Sequence, residues 1–352
     1  MLRPASLLVL LVLLLAGCAG DKPAAAAPDA AADGPEPGRQ LVPLESIPAP
    51  DWQVGQYWEW QVTHGTQTME GTFCSIVVAK DGATYTLATE NDDWAKDEAA
   101  FDHPLLGTTK KGDLVMTGPD GDWSLLSFPL TDGKTWTASM PNLAWDVFLP
   151  AERVDVAMAA TFSHPTHGEP PLVHITGTSG EYTLLQASYD VRTGWFSDLV
   201  FFDVDPGQEE VEVGYHAKSA GMNYTGPYFQ HTAKPLLQLF DANGFDDEPT
   251  AGGQPYTAPP QPYHSFTVRE GTTLYGYIVA ETVVAAREVA LIDPTNQARH
   301  VTATGALDGG SAGLFLDEPA IPGEWRLATG GAGGFSGAFA EIFELTEGSF
   351  TL

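Results

Sequence analysis

Cysteine is nearly absent from this chain of 352 residues, with Cys18 and Cys74 the two present. Two cysteines cannot build a disulfide framework, so an apolar core must hold the fold. Positive charge is scarce too. Sixteen Lys and Arg stand against 46 Asp and Glu, a formal net charge of -30. Such a surface repels phosphate backbones and excludes nucleic acid as a partner. The acids are scattered rather than clustered, the pattern of a solvated acidic surface. Long apolar runs are missing: the stretch 7–15 falls short of the roughly 20 residues a spanning helix needs. Catalytic signatures are missing as well. There is no Gly-x-Ser-x-Gly, no His-Glu-x-x-His, no Rossmann fingerprint and no phosphate loop. Neither a catalytic triad nor a carboxylate pair can be chosen among so many acids without geometry.

What is present begins at the N-terminus. Arg3, the apolar run 7–15 and the small residues after it have the form of a cleaved export signal. The sequence Leu15-Ala16-Gly17-Cys18 resembles the lipobox of prokaryotic lipoproteins. That resemblance implies cleavage after residue 17, diacylglycerol on Cys18 and a membrane partner through this anchor. Ala19 follows the lipid cysteine, where inner-membrane retention typically uses Asp. The resemblance therefore implies an outward-facing cell-envelope location, the outer membrane in a Gram-negative host.

Residues 18–50 read as the lipidated cysteine and an Ala/Pro/Asp tether with too little apolar content to fold. Residues 51–234 read as an antiparallel β domain. Trp58, Trp60 and Val62 share one face of 57–62, and 153–158 and 210–215 alternate in the same way. Turn signals such as Lys80-Asp81-Gly82 and Arg192-Thr193-Gly194 recur at short intervals. The pattern predicts a barrel or a curved two-sheet sandwich, with one short helix over 92–100. Cys74, in the strand 73–79, reads as a buried inert thiol. Residues 235–262 form a Pro/Gly/acidic linker, whose piece 236–240 is expected to dock on the first domain. Residues 263–352 carry seven short strand patterns and predict a smaller β-sandwich, so the fold class is all-β. Phe266-Thr267-Val268, Ala290-Leu291-Ile292-Asp293-Pro294 and Pro322-Gly323-Glu324-Trp325-Arg326-Leu327 are similar to appended sandwich domains of secreted prokaryotic proteins. That similarity implies a role in localisation or binding.

Three constellations are candidates for chemistry. His164 and His167 flank Pro165-Thr166, and His174 follows; together they are a candidate transition-metal set, or else solvated histidines on a hairpin tip. Asp241, Asn243 and Asp246 resemble the start of a Ca2+ loop, although Phe245 stands where an oxygen donor is needed. Linker acidity explains the same residues. Asn223-Tyr224-Thr225 is an N-glycosylation sequon. No motif calls for an organic cofactor, and no catalytic residue can be assigned. The best-supported expectation is a lipid-anchored, surface-exposed, non-catalytic binding or envelope-scaffold protein with an envelope protein or glycan as partner. The alternatives are a small-ligand carrier using the interior of the first β domain, and a secreted hydrolase or metal-dependent enzyme.

Overall fold

The computed structural model describes residues 45–69, 71–91, 104–118, 121–141, 153–163, 172–205, 208–231, 235–241, 264–282, 287–303, 311–331 and 335–351. Met1–Val42 separates as one unit and lies outside these residues; everything below concerns Pro43–Leu352. Among the described residues the chain is all-β, as its alternation predicts. The expected helix over 92–100 lies outside them.

The first thirteen strands form one antiparallel sheet. In order they are β1 (Tyr57–His64), β2 (Gln67–Thr68), β3 (Phe73–Lys80), β4 (Thr84–Ala88), β5 (Gly107–Lys110), β6 (Val115–Gly118) and β7 (Gly121–Trp123). There follow β8 (Thr135–Pro141), β9 (Arg153–Ser163), β10 (Leu172–Ser179), β11 (Tyr182–Asp190), β12 (Trp195–Asp205) and β13 (Gln208–Gly221). Each main strand pairs with its neighbours in sequence, and β13 returns to β1. Only β2 is off the path, a short hairpin partner of β1. The result is an up-and-down meander nearly closed into a barrel. At the seam between β7 and β8, serine contacts replace a strand ladder. The Ser124 amide donates to the Ser139 carbonyl at 3.2 Å, and the Ser139 amide donates to Ser124 Oγ at 2.9 Å.

Alternation explains the interior. Trp58, Trp60 and Val62 of β1 point inward and are fully buried, whereas Glu59 and Gln61 point out. Inward residues of the other strands complete one core, among them Phe73, Tyr85, Met116, Trp123, Trp195 and Phe201. Ring contacts cross the barrel: Trp123 on β7 meets Phe201 on β12 with centroids 5.5 Å apart. A barrel of this many strands is wide, and large aromatics are what fills it.

Segment 45–56 acts as a strap over one end. Ile47 exchanges two backbone hydrogen bonds of 2.8 Å with Leu130, in the connection between β7 and β8. Eight residues later the Gly55 amide donates to the Val77 carbonyl at 2.8 Å, beside the start of β1. The seam and β1 are on opposite sides of the ring, so the strap crosses the mouth. Trp52 hangs from it into the core, and its Nε1 donates to the Gly194 carbonyl at 3.0 Å. Gly194 has φ of 71°, and a Cβ there would meet Pro50 at 2.9 Å, so the turn needs glycine on both counts.

The remaining strands are β14 (Gly226–His231), β15 (Leu237–Asp241), β16 (His264–Val268), β17 (Thr273–Thr282), β18 (Arg287–Ile292), β19 (Ala298–Ala303), β20 (Ser311–Pro319), β21 (Gly323–Gly331) and β22 (Phe335–Phe350). They form two smaller antiparallel sheets. One has the order β14-β22-β17-β20 with β15 also on β22, and the other is β16-β21-β18-β19. A second core gathers Phe266, Leu274, Leu291, Trp325, Leu327 and Ile342. The piece 236–240 does not dock on the barrel as expected, because β15 pairs with β22 instead. The barrel and this second part meet where Thr89 and Phe229 exchange backbone hydrogen bonds of 3.1 and 2.7 Å.

Candidate functional site

Few of the sequence-predicted site residues lie where the structure describes them. Cys18, His164, His167, Asn243 and Asp246 are outside the described residues. His174 sits exposed on the outer wall of β10, its Nδ1 3.5 Å from Ser188 Oγ on β11. Asp241 ends β15, its backbone opposite Ala338. Among the described residues no three His, Cys, Asp or Glu side chains gather into a metal-binding group. Asn223 is exposed, in left-handed backbone with φ of 61°, on the connection from β13 to β14.

The structure brings together a group that no motif announces. β12, β13 and β1 lie side by side, and their outward positions carry Asp198, His216 and Thr63. His216 Nδ1 is 3.0 Å from Asp198 Oδ1, and its Nε2 is 3.3 Å from Thr63 Oγ1. This is the order of atoms in a hydroxyl–imidazole–carboxylate relay. Register makes it possible: Asp198 faces His216 across one ladder, and Gly214 faces Thr63 across the next. Gly214 also leaves the space, since a Cβ there would come 2.6 Å from Thr63 Oγ1 and 2.9 Å from His216 Nε2. Gly214→Ala is therefore expected to force the pair apart and destabilise the barrel by about 1–3 kcal/mol, read as a lower urea midpoint.

Chemically the group is incomplete. Thr63 is paired on both sides, with Gly214 of β13 and Thr68 of β2, so the nearby backbone donors an oxyanion would need are engaged. The imidazole and the carboxylate are open to water, at 36% and 50% exposure, on a convex wall. The arrangement holds an imidazole in a fixed orientation at the surface, which suits contact better than bond cleavage.

A second cluster lies where the strap, β13 and the second part converge. Tyr57 lies over Gly221, its cross-strand partner, where a Cβ would come 2.7 Å from the ring. Tyr228 covers Gly348 across β14 and β22 in the same way. Between them stand Tyr224 and Phe350, and the four half-buried rings run in a row with centroids 5.9, 6.4 and 5.3 Å apart. Burial, with Glu90 and Cys74 nearby, pushes the Tyr224 phenol up to about 12. The unfolded phenol ionises near 10, so the folded state keeps the proton longer. Its contribution to stability is present below pH 10 and is lost as the pH rises to about 12. Denaturant melts across that window should show the decline, and Tyr224→Phe should flatten it. Cys74 itself is half-buried rather than fully buried, on the outer face of β3, where its amide donates to Glu90 Oε2 at 2.7 Å.

No family model matches the chain, and no curated protein matches it. Among solved structures, one of infectious bursal disease virus (Gx strain) is similar at a TM-score of 0.19 and 11% identity, over 85% of this chain and 70% of that one. An exo-β-1,3-galactanase from Phanerochaete chrysosporium follows at 0.17 and 9%, over 78% of each chain. A family 43 arabinoxylan arabinofuranohydrolase from Bacillus subtilis has 0.16 and 10%, over 83% of this chain and 79% of that one. Likeness this slight carries no argument about function.

Proposed function

We propose that this chain is a lipid-anchored, outward-facing binding or scaffold protein of a cell envelope, without catalytic activity of its own. The observation that carries the reading is the filled barrel. Aromatic side chains meet across its interior, and Trp52 closes one end from the strap. A barrel packed in this way is a rigid body that offers its outer surface, and the lipobox supplies the attachment. Expression of the full chain with its own leader tests it. Mass spectrometry of the N-terminal peptide should find diacylglycerol on Cys18, and Cys18→Ala should release the protein from membranes. An unmodified Cys18 behind an uncleaved leader would overturn the anchor.

One observation favours the carrier reading as the second choice. The indole nitrogens of Trp58, Trp123, Trp136 and Trp195, and the Thr109 hydroxyl, are buried without a hydrogen-bond partner. Indoles only donate, so an acceptor inside the barrel would satisfy them. Native mass spectrometry of the purified full chain decides between the two. A stoichiometric small molecule would move the assignment to a carrier, and a bare protein mass would leave internal water as the acceptor.

A further inference from the structure

We propose that Asn223 is an N-glycosylation site, and that the sugar it carries covers the apolar tips of Met222 and Val54. The proposal rests on the export part of the reading above, because the transfer takes place on the outer side of the membrane. It does not depend on the lipid. The chain has five asparagines, at 91, 142, 223, 243 and 296, and Asn223 alone is followed two residues later by Ser or Thr. The acceptor needs that hydroxyl and any residue but proline between, which Thr225 and Tyr224 supply.

The fold presents these residues as an acceptor must. Residues 222–225 fall between the last ladder pair of β13, at Gly221, and the first of β14, at Gly226, so they belong to neither ladder. Asn223 and Thr225 are exposed, while Tyr224 between them is half-buried. The Tyr224 amide donates to the Gly55 carbonyl and its hydroxyl to the Pro227 carbonyl, both at 2.9 Å. The middle residue pins the connection and leaves its two neighbours to solvent. Among the described residues neither the Asn223 carboxamide nor the Thr225 hydroxyl has a hydrogen-bond partner. Asn296, also in left-handed backbone, differs: its Oδ1 accepts from Arg326. Left-handed backbone accounts for an asparagine, aspartate or glycine at 223. It does not account for a free threonine two residues on.

The surroundings give the sugar something to cover. Val54 is 46% exposed and Met222 49%, two of the exposed large apolar side chains among the described residues. Met222 precedes Asn223, and Val54 precedes Gly55, where a Cβ would stand 3.6 Å from Asn223 Cα. A bulky hydrated chain at this point shields both tips. The transfer forms one bond, between Asn223 Nδ2 and the anomeric carbon of the first sugar. It breaks one, between that carbon and the phosphate oxygen of a lipid-linked oligosaccharide. The phosphate leaves with the electron pair, and the amide nitrogen gives up a proton. The donor and a membrane oligosaccharyltransferase come from the host cell.

The test expresses the full chain in a cell with a working Asn-x-Thr oligosaccharyltransferase, beside a secreted acceptor that this transferase modifies. A second version carries a proven cleavable export leader in place of residues 1–17, so failure of the native leader and failure of the site are seen separately. Glycopeptide mass spectrometry should find sugar on Asn223 in most molecules. Asn223→Gln and Thr225→Ala should abolish it, and Thr225→Ser should keep it. With the sugar in place, peroxide should oxidise Met222 about threefold more slowly than in Asn223→Gln. Met69, 40% exposed and beside β2 at the other end of β1, should keep its rate in both. A bare Asn223 under the proven leader beside a modified control, sugar that survives Thr225→Ala, or equal oxidation of Met222 with and without the sugar would overturn the proposal.

Discussion

Replacing Trp52 by alanine is expected to destabilise the protein by about 3–5 kcal/mol, the cost of emptying a buried aromatic site. Trp52 is 1% exposed although it lies outside every strand. Its ring contacts Trp195 at 4.5 Å and both Trp58 and Tyr85 at 4.9 Å, so three strands lose a shared neighbour at once. The hydrogen bond to the Gly194 carbonyl goes with it. The strap's other apolar hold on the core is Ile47, buried beside Leu130 at the far end of the segment, so it does not fill the space. The loss should be visible as a lower urea midpoint and as protease cleavage within 45–56. Tyr85→Phe should do less. Its hydroxyl accepts from the Trp52 amide at 3.2 Å, and losing that bond costs about 1 kcal/mol. A Trp52→Ala protein as stable as the parent would mean that the strap is not part of the core.

Trp52 also shows where reading the sequence stops. The strands with strong alternation are legible because period-2 burial depends on each strand alone: 57–62, 153–158 and 210–215 all lie in observed strands. Short or polar strands such as Gly-Thr-Thr-Lys of β5 and Thr-Trp-Thr-Ala-Ser-Met-Pro of β8 carry no such signal. A tryptophan delivered by a loop has no periodicity to betray it. The Asp198–His216–Thr63 group escapes for a different reason. Alternation places each residue on an outer face, but which residues face one another depends on register across three strands, and bulges shift it. One such shift falls between Glu59 and Trp60 and another between Phe201 and Phe202. Cys74 reads as buried because its strand is apolar. Its outward position leaves it half-buried, while Phe73, Ser75 and Val77 turn inward. Nothing in the sequence marks Gly221 and Gly348 as seats for tyrosine rings, because the cross-strand partner that lies over each is set by register.

In the second part the largest effect is expected at Arg269. Glu344 is 1% exposed and shares a face of β22 with Ile342, so its carboxylate enters the second apolar core. The charge is tolerated because Arg269 meets it twice, through its backbone amide at 2.6 Å and its Nε at 2.7 Å. The turn after β16 holds Arg269 in place, with Thr272 Oγ1 donating to its carbonyl at 3.0 Å. Arg269→Ala keeps the amide contact and removes the compensating charge. Leaving a buried carboxylate uncompensated costs about 3–5 kcal/mol; with the guanidinium side chain 62% exposed, the lower end of that range, about 3 kcal/mol, is expected. Equilibrium denaturation should show it as an early loss of the second part, read by the fluorescence of Trp325 in a background where the barrel tryptophans are invariant. Adding Glu344→Gln to Arg269→Ala should recover part of the loss, because a neutral amide is less costly to bury than a lone charge. An additive outcome, with the double variant worse than the single by the full cost of Glu344→Gln, would mean that the two side chains do not act as a pair.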